Sequence, residues 1–238
     1  MNTNNAHNLK NRDAVRPIYS ITPFTLLDYP DKTACILWFA GCNMRCSYCY
    51  NPDIVLGKGK LSFEDALKFL NTRKNLLDGV VLSGGECTLN PKIKSLIKEI
   101  KNIGMDVKID TNGSRPNVLK QLINENLINY VSLDFKTIKN KFHDITKSNL
   151  FNQFNISLNL LIQSTIPFEV RTTVHSDLIT QEEIQQMLLI LEDANYSGKY
   201  YLQNYINNTA TLGNTNHSKS KFIELGLLHT KIQVIIRN

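Results

Sequence analysis

Short runs rich in β-branched and apolar residues alternate with stretches whose apolar positions recur at helical spacing, and this alternation narrows the fold more than any other feature of the chain. The runs are residues 34–40 (ACILWFA), 79–83 (GVVLS), 106–110 (DVKID), 130–135 (YVSLDF), 168–174 (FEVRTTV) and 199–205 (KYYLQNY). Each has the length and composition of a strand. Between them, Phe63, Ala66, Leu67 and Leu70 share one helical face behind Ser62, a candidate N-cap. Ile93, Leu96, Ile97 and Ile100 repeat that pattern, as do Val118, Leu122 and Ile123, and then Ile184, Met187, Leu188 and Leu191. Strand followed by helix, about six times over, implies an α/β fold with a parallel sheet built through right-handed crossovers. Periodicity leaves open whether that sheet closes.

The 238 residues, 42% of them hydrophobic, suffice for one sizeable core and one domain. Residues 1–15, rich in Asn, read as a flexible lead-in, and 16–238 as the folded domain with a short C-terminal extension. In that extension, 218–225 is expected to form a short helix and 232–236 is a last apolar run. No run approaches the roughly 18 apolar residues a membrane helix needs, and the N-terminus lacks the apolar centre of a secretory signal. The expected location is the cytoplasm, with no membrane association. The net charge is +6, but the lysines are scattered and no dense basic run is interleaved with aromatics. This reads as a solvated surface, and no nucleic-acid partner is expected.

In parallel α/β folds, ligands bind at the C-terminal ends of strands. The unusual residues of this chain fall at those ends: a cysteine cluster after the first predicted strand, SGGEC after the second, DTNG after the third, LDFK after the fourth, and Arg171 with His175 near the end of the fifth. One shared pocket is expected. Cys42, Cys46 and Cys49 lie within eight residues, too close for a disulfide framework, and the chain's five cysteines are an odd number. Thiolates are soft ligands suited to iron–sulfur clusters or zinc. The C-x3-C-x2-C spacing bends a loop around one centre. Either a cubane cluster is held by these three thiolates, leaving one iron open, or Cys35 or Cys87 joins them in a closed zinc site.

Cys42, Cys46, Tyr48 and Cys49, written C-x3-C-x-aromatic-C, resemble the signature of the radical S-adenosylmethionine enzymes. The resemblance implies a 4Fe-4S cluster on the three cysteines, with the amino and carboxylate groups of S-adenosylmethionine on the open iron. Reductive cleavage of that cofactor would give a 5'-deoxyadenosyl radical that abstracts a hydrogen atom from the substrate. Gly84, Gly85 and Glu86 match the superfamily's GGE, whose backbone and carboxylate hold the methionine ammonium; Tyr48 would lie along the adenine. DTNG is similar to the motif of activating enzymes for glycyl radical proteins, which implies that Asp110, Thr111 and Asn112 lie near the methionine carboxylate and ribose, with Asp134 facing the same region. By resemblance to the pyruvate formate-lyase activating enzyme, Asp110 and Asp134 are candidates to hold a monovalent cation. Lys136 and Arg171 would pair with carboxylates of the cofactor or the protein. Plainer roles remain open for several of these: a glycine turn for GGE, an Asx turn for DTNG, packing for Tyr48 and His175.

Longer stretches narrow the resemblance. ITPFTLLDYPDKTACILWFAGCNMRCSYCYNPD, LLDGVVLSGGECTL, DTNGSRPNVLKQL and IPFEVRTTVH, spread over residues 17–205, resemble the small anaerobic ribonucleoside-triphosphate reductase activating proteins. That implies a partial (β/α)6 TIM-like barrel of the radical SAM type in a single domain. It also implies a protein substrate, the anaerobic reductase, on which a glycyl radical is generated, and a flavodoxin or ferredoxin as electron donor. The alternatives are a radical enzyme acting on another glycyl radical protein or a small molecule and, outside enzymology, a zinc-stabilised partner-binding module. Cys87 stands where Pro is common and would add a thiol near the cofactor; Tyr50 stands where His is frequent. With no cysteine-rich insert, a second ferredoxin-like cluster domain is not expected.

Overall fold

Strands that read as continuous apolar runs are strands buried on both faces, and the architecture follows from that. The computed structural model describes residues 16–219 and 223–237; the predicted lead-in, 1–15, lies outside them. β1 (Ile18–Thr25) runs antiparallel to β2 (Ala34–Phe39). From β2 on, each strand is parallel to the next in chain order: β3 (Gly79–Gly84), β4 (Asp106–Thr111), β5 (Tyr130–Asp134), β6 (Phe168–Val174), β7 (Tyr200–Asn204) and β8 (Val234–Arg237). All six anticipated strands are present, their ends shifted by no more than a residue. β8 grows out of the last apolar run. β1 was not anticipated: Pro23 interrupts its alternation, and the register slips between Thr22 and Thr25, the kind of irregularity at which an edge strand tolerates proline.

β1 and β8 do not pair with each other, so the sheet is an open, partial barrel. Its concave face brings side chains together across intervening strands. Arg237 on β8 reaches Glu169 on β6 at 3.2 Å, and Tyr29, between β1 and β2, meets the ring of Tyr130 on β5 at 6.2 Å.

Of the helices, α2 (Phe63–Thr72), α3 (Ile93–Ile103), α4 (Pro116–Asn124) and α7 (Gln181–Asp193) match the expected amphipathic stretches. The Ser62 hydroxyl accepts from Asp65 N (3.1 Å) while the Asp65 carboxylate accepts from Ser62 N (2.8 Å), a reciprocal cap that starts α2. Three further helices, α1 (Pro52–Leu56), α5 (Lys139–Thr146) and α6 (Phe151–Ile162), complete the set. The helix expected over 218–225 is not observed: residues 218–219 and 223–224 are irregular, 220–222 lie outside the described residues, and a single 3-10 turn follows at Leu225–Leu227. No helix among the described residues is long and apolar enough to cross a membrane.

The convex face of the sheet packs on the helices through fully buried Leu37, Leu82, Ile109 and Leu133. Phe154 on α6 stacks on Phe135 with ring centroids 4.6 Å apart. The concave face is apolar only low in the barrel, where Tyr29, Ala34, Ile36 and Val81 form a small separate cluster. Above it, toward the strand C-termini, the inward positions are polar. Because Phe154 is fully buried, Phe154→Ala should lower the unfolding free energy by about 3–5 kcal/mol and Ser62→Ala by only about 1 kcal/mol, both read as midpoint shifts in urea denaturation.

Candidate functional site

β2 delivers the chain at Phe39 into the cysteine loop, and the loop's shape is set by backbone hydrogen bonds to distant elements. Gly41 N donates to Ile54 O (2.9 Å), while Arg45 N and Ser47 N donate to Thr146 O (2.8 Å) and Ile145 O (3.2 Å) at the end of α5. The Arg45 guanidinium closes the turn from outside by donating to the carbonyls of Cys42 (2.7 Å) and Met44 (2.8 Å). Cys42, Cys46 and Cys49 then all line one cavity at the C-terminal ends of the strands. Burial pushes the Cys42 and Cys46 thiols up, Cys46 to about 12.

The GGE turn lies flush against this loop. Gly84 has φ +114°, and a Cβ there would stand 2.5 Å from Phe39 N; a Cβ on Gly85 would stand 1.8 Å from Gly41 O. Only glycine permits that approach. Gly85 N donates to Phe39 O and Glu86 N to Gly41 O, both at 2.9 Å. Both glycines line the cavity. Glu86 is the one predicted site residue that does not. Its buried carboxylate accepts from the Thr88 hydroxyl (2.5 Å), the Thr111 hydroxyl (2.9 Å) and Asn112 N (2.7 Å), tying the end of β3 to the end of β4. Burial raises its pKa and these hydrogen bonds partly offset the rise.

The DTNG turn and the two neighbouring strands supply the charged wall. Asp110, Thr111, Asn112, Asp134, Lys136 and Arg171 all face the cavity, and Tyr48 joins them. Asp134 pairs in register with Arg171 across β5 and β6, which aims the guanidinium inward. Arg171 bridges two carboxylates, Nε to Asp134 Oδ1 at 2.5 Å and Nη2 to Asp110 Oδ2 at 3.2 Å. Lys108 Nζ holds the other oxygen of Asp110 (2.5 Å), Ser83 Oγ donates to Asp110 (2.9 Å), and Lys136 Nζ holds Asp134 (3.0 Å). Burial alone would raise both aspartates; Arg171 with Lys108 outweighs it at Asp110, and Arg171 with Lys136 at Asp134, so both stay below their ordinary value. Asn112 Nδ2 stands 3.0 Å from Asn43 Oδ1 and 3.8 Å from Cys42 Sγ, linking this wall to the cysteine loop.

The monovalent cation expected on Asp110 and Asp134 is not supported: Lys108, Lys136 and Arg171 already satisfy the two carboxylates. The closed zinc site is not formed either. Cys35 is buried in the core under the helices, Cys87 directs its thiol to Asp110 O at 3.7 Å, and among the described residues no three His, Cys, Asp or Glu side chains converge on a single ion. Cys42, Cys46 and Cys49 line the cavity, and Cys35 and Cys87 do not. His175 is buried outside the cavity, 2.8 Å from Asn216 O. Tyr50 does line it.

Several contributors were missed at the sequence level. Lys108 sits two residues before Asp110, Thr173 two after Arg171, and Gln203 on β7; Trp38 and Ser83 line the cavity from β2 and β3. Strand parity was the available signal, because residues i and i+2 share a face. The residues present fit a thiolate-bound cluster with an amino-acid-bearing cofactor: three soft donors, a backbone cradle that any Cβ would fill, and two cations, Lys136 and Arg171, lining the cavity where a carboxylate would bind. In addition, the buried Tyr48 hydroxyl has no hydrogen-bond partner among the described residues.

A family model for the radical SAM superfamily matches residues 36–194. A Methanocaldococcus jannaschii protein named as a glycyl-radical enzyme activating enzyme is 30% identical over 183 residues, covering 74% of this chain and 75% of that protein. The pyruvate formate-lyase-activating enzyme of Clostridium pasteurianum is 39% identical over 103 residues, covering 40% of this chain and 43% of that enzyme. Among solved structures, Streptococcus suis SuiB bound to S-adenosylmethionine superposes with a TM-score of 0.63 at 12% identity over 83% of this chain and 48% of SuiB, a likeness of fold. The matched regions thus span under half the length of the latter two proteins.

The charged wall makes a pH prediction. Because the Asp110 pKa is depressed in the folded state, its stabilisation is complete above the unfolded carboxylate value of about 3.9 and is lost as pH falls through the folded value. Asp110→Asn should weaken the acid-side decline in urea-unfolding free energy, and at neutral pH it should cost about 3–5 kcal/mol by stranding buried Lys108, whose ion-pair partner is Asp110.

Proposed function

The chain belongs to the radical SAM superfamily, and on that premise we propose that it is an activase that generates a glycyl radical on a partner enzyme, the anaerobic ribonucleoside-triphosphate reductase. One observation carries the reading: Cys42, Cys46 and Cys49 share a cavity with the Gly84–Gly85 backbone and with the Asp110, Asp134, Lys136 and Arg171 wall. When bound, a 4Fe-4S cluster and S-adenosylmethionine supply one-electron cleavage of the sulfonium and abstraction of a hydrogen atom from the target. The three cysteines hold the cluster. Gly84 and Gly85 present backbone to the methionine end of the cofactor, and Tyr48, which lines the cavity, lies along the adenine. Lys136 and Arg171, held in place by Asp134 and Asp110, attract the methionine carboxylate. Thr111 and Asn112 contact the same end, and Glu86 acts from behind them by fixing Asn112 N and the Thr111 hydroxyl.

A protein substrate is favoured by an exposed apolar turn between β1 and β2, which the register Thr25 to Ala34 places at the end of the sheet opposite the cysteine loop. Phe24, Leu26 and Leu27 are exposed, Leu27 at 92%, and they lead directly to Asp28, which lines the cavity. Exposed apolar side chains adjacent in the chain form a patch of the kind that marks contact with another macromolecule. The reductase is favoured by the long stretches between residues 17 and 205 that resemble its activating proteins. The relatives named above favour a second reading, in which the target is another glycyl radical enzyme. The net charge of +6 suits an acidic flavodoxin or ferredoxin as electron donor, in the cytoplasm.

Anaerobic reconstitution should give a 4Fe-4S electron paramagnetic resonance signal that shifts on addition of S-adenosylmethionine, and incubation with the reductase should give a doublet glycyl radical signal. A doublet on a different glycyl radical enzyme alone would move the assignment to that partner, and a cluster blind to the cofactor would sink the open-iron site. Cys46→Ala should abolish cofactor cleavage. Leu27→Glu should leave cofactor cleavage by dithionite intact and lower the rate of reductase activation about tenfold, the equivalent of roughly 1.4 kcal/mol of docking energy.

A further inference from the structure

Between β7 and β8 the chain makes a long excursion, and part of it returns to the cysteine loop. Leu212 N donates to Cys49 O at 3.0 Å and Gly213 N donates to Ser47 O at 2.8 Å. The contact is tight: a Cβ on Gly213 would stand 2.7 Å from Ser47 Cα and 2.9 Å from Ser47 O. Ser47 is thereby held at both its amide and its carbonyl, the amide by Ile145 O at the end of α5 and the carbonyl by the returning segment.

The segment is itself anchored by residues that the radical chemistry does not use. The Tyr50 hydroxyl accepts from Ile206 N at 2.6 Å, and the Tyr50 and Tyr205 rings lie 5.4 Å apart. His175 meets the Tyr205 ring edge-on at 4.5 Å and bonds to Asn216 O. Asn207 exchanges two hydrogen bonds with Ser218, at 2.8 and 3.0 Å. The hydroxyls of Tyr205, Thr211 and Thr215 close the turn around Gly213 through contacts of 2.6 and 3.1 Å.

We infer that residues 205–218 form a clamp that positions the cysteine loop, with Gly213 as its point of contact and Tyr50, His175 and Tyr205 as its anchors, and that this clamp sets how firmly the three thiols retain an iron–sulfur cluster. Removing partners that orient metal ligands without touching the metal typically lowers metal affinity by about 10–100-fold. The inference rests on the assignment of Cys42, Cys46 and Cys49 as cluster ligands. Gly213, Leu212 and Thr215 are positioning residues in this scheme.

The test is iron release to a ferrous chelator from anaerobically reconstituted protein, together with hydrogen exchange at the Leu212 and Gly213 amides of the metal-free protein. Gly213→Ala should release iron about 10-fold faster than wild type, lose protection at both amides, and keep a cooperative thermal transition. Gly226→Ala, in the same C-terminal stretch but with nothing within 4 Å of the added Cβ, should behave as wild type. Thr215→Val removes the hydroxyl contacts without pressing an atom on Ser47 and should release iron at an intermediate rate. Wild-type release rates in folded Gly213→Ala, or in Thr215→Val should Gly213→Ala fail to fold, would overturn the clamp. Wild-type protein that takes up no iron would overturn the ligand assignment instead, and unprotected Leu212 and Gly213 amides in it would overturn the clamp as well.

Discussion

The guanidinium of Arg171, lodged between carboxylates from two other strands, is the contact around which the concave face is organised. An inward-facing sheet surface has two stable solutions: fill it with apolar side chains, or pair every charge placed there. The lower barrel takes the first course with Tyr29, Ile36 and Val81, and the upper barrel takes the second. Pairing by ions adds little net stability, since desolvation offsets most of the attraction, but it fixes direction: each aspartate has one oxygen on Arg171 and the other on a lysine. The same lattice explains why no further cation is called for and why a ligand carboxylate would be welcome.

The cysteine loop depends on a second kind of constraint, backbone against backbone. Gly84 and Gly85 let β3 end in contact with Phe39 and Gly41, and the cost of any side chain there is a collision with main chain, which cannot move aside. Three segments far apart in sequence, the GGE turn, the end of α5 and the turn at Gly213, each bind a different part of the loop. The loop buries Met44, Cys46 and Tyr48 in the core, and its neighbours' amides and carbonyls fix the path of its backbone.

Much of this was legible in the residues. The six central strands announced themselves because the face packed on the helices is apolar in every one of them, and the cysteine, GGE, DTNG and LDFK motifs were correctly placed at strand ends. What was not legible depends on direction. Glu86 belongs to a motif whose neighbours line the cavity, yet its side chain turns back to Thr111 and Asn112. Lys108 looked like a solvated lysine, but strand parity puts it on the face of Asp110, where it is 2% exposed. Pro23 hid β1, and the asparagines of FNQFNISLNLLI blurred the apolar face of α6. The return of residues 205–218 to the cysteine loop spans more than 150 residues of sequence from Tyr50 to Ile206, and no local pattern encodes such a contact.

Strand order in this sheet is the order of synthesis, so on the ribosome each strand can dock on its predecessor as soon as it emerges. The ions do not keep that schedule. Asp110 meets Lys108 at once, and Asp134 meets Lys136, but the bridge between the two halves waits for Arg171 on β6. Until then the nascent concave face carries two separate ion pairs with nothing between them, open to water and able to breathe. The arrival of a single side chain on β6 joins those two pairs into one connected ion lattice.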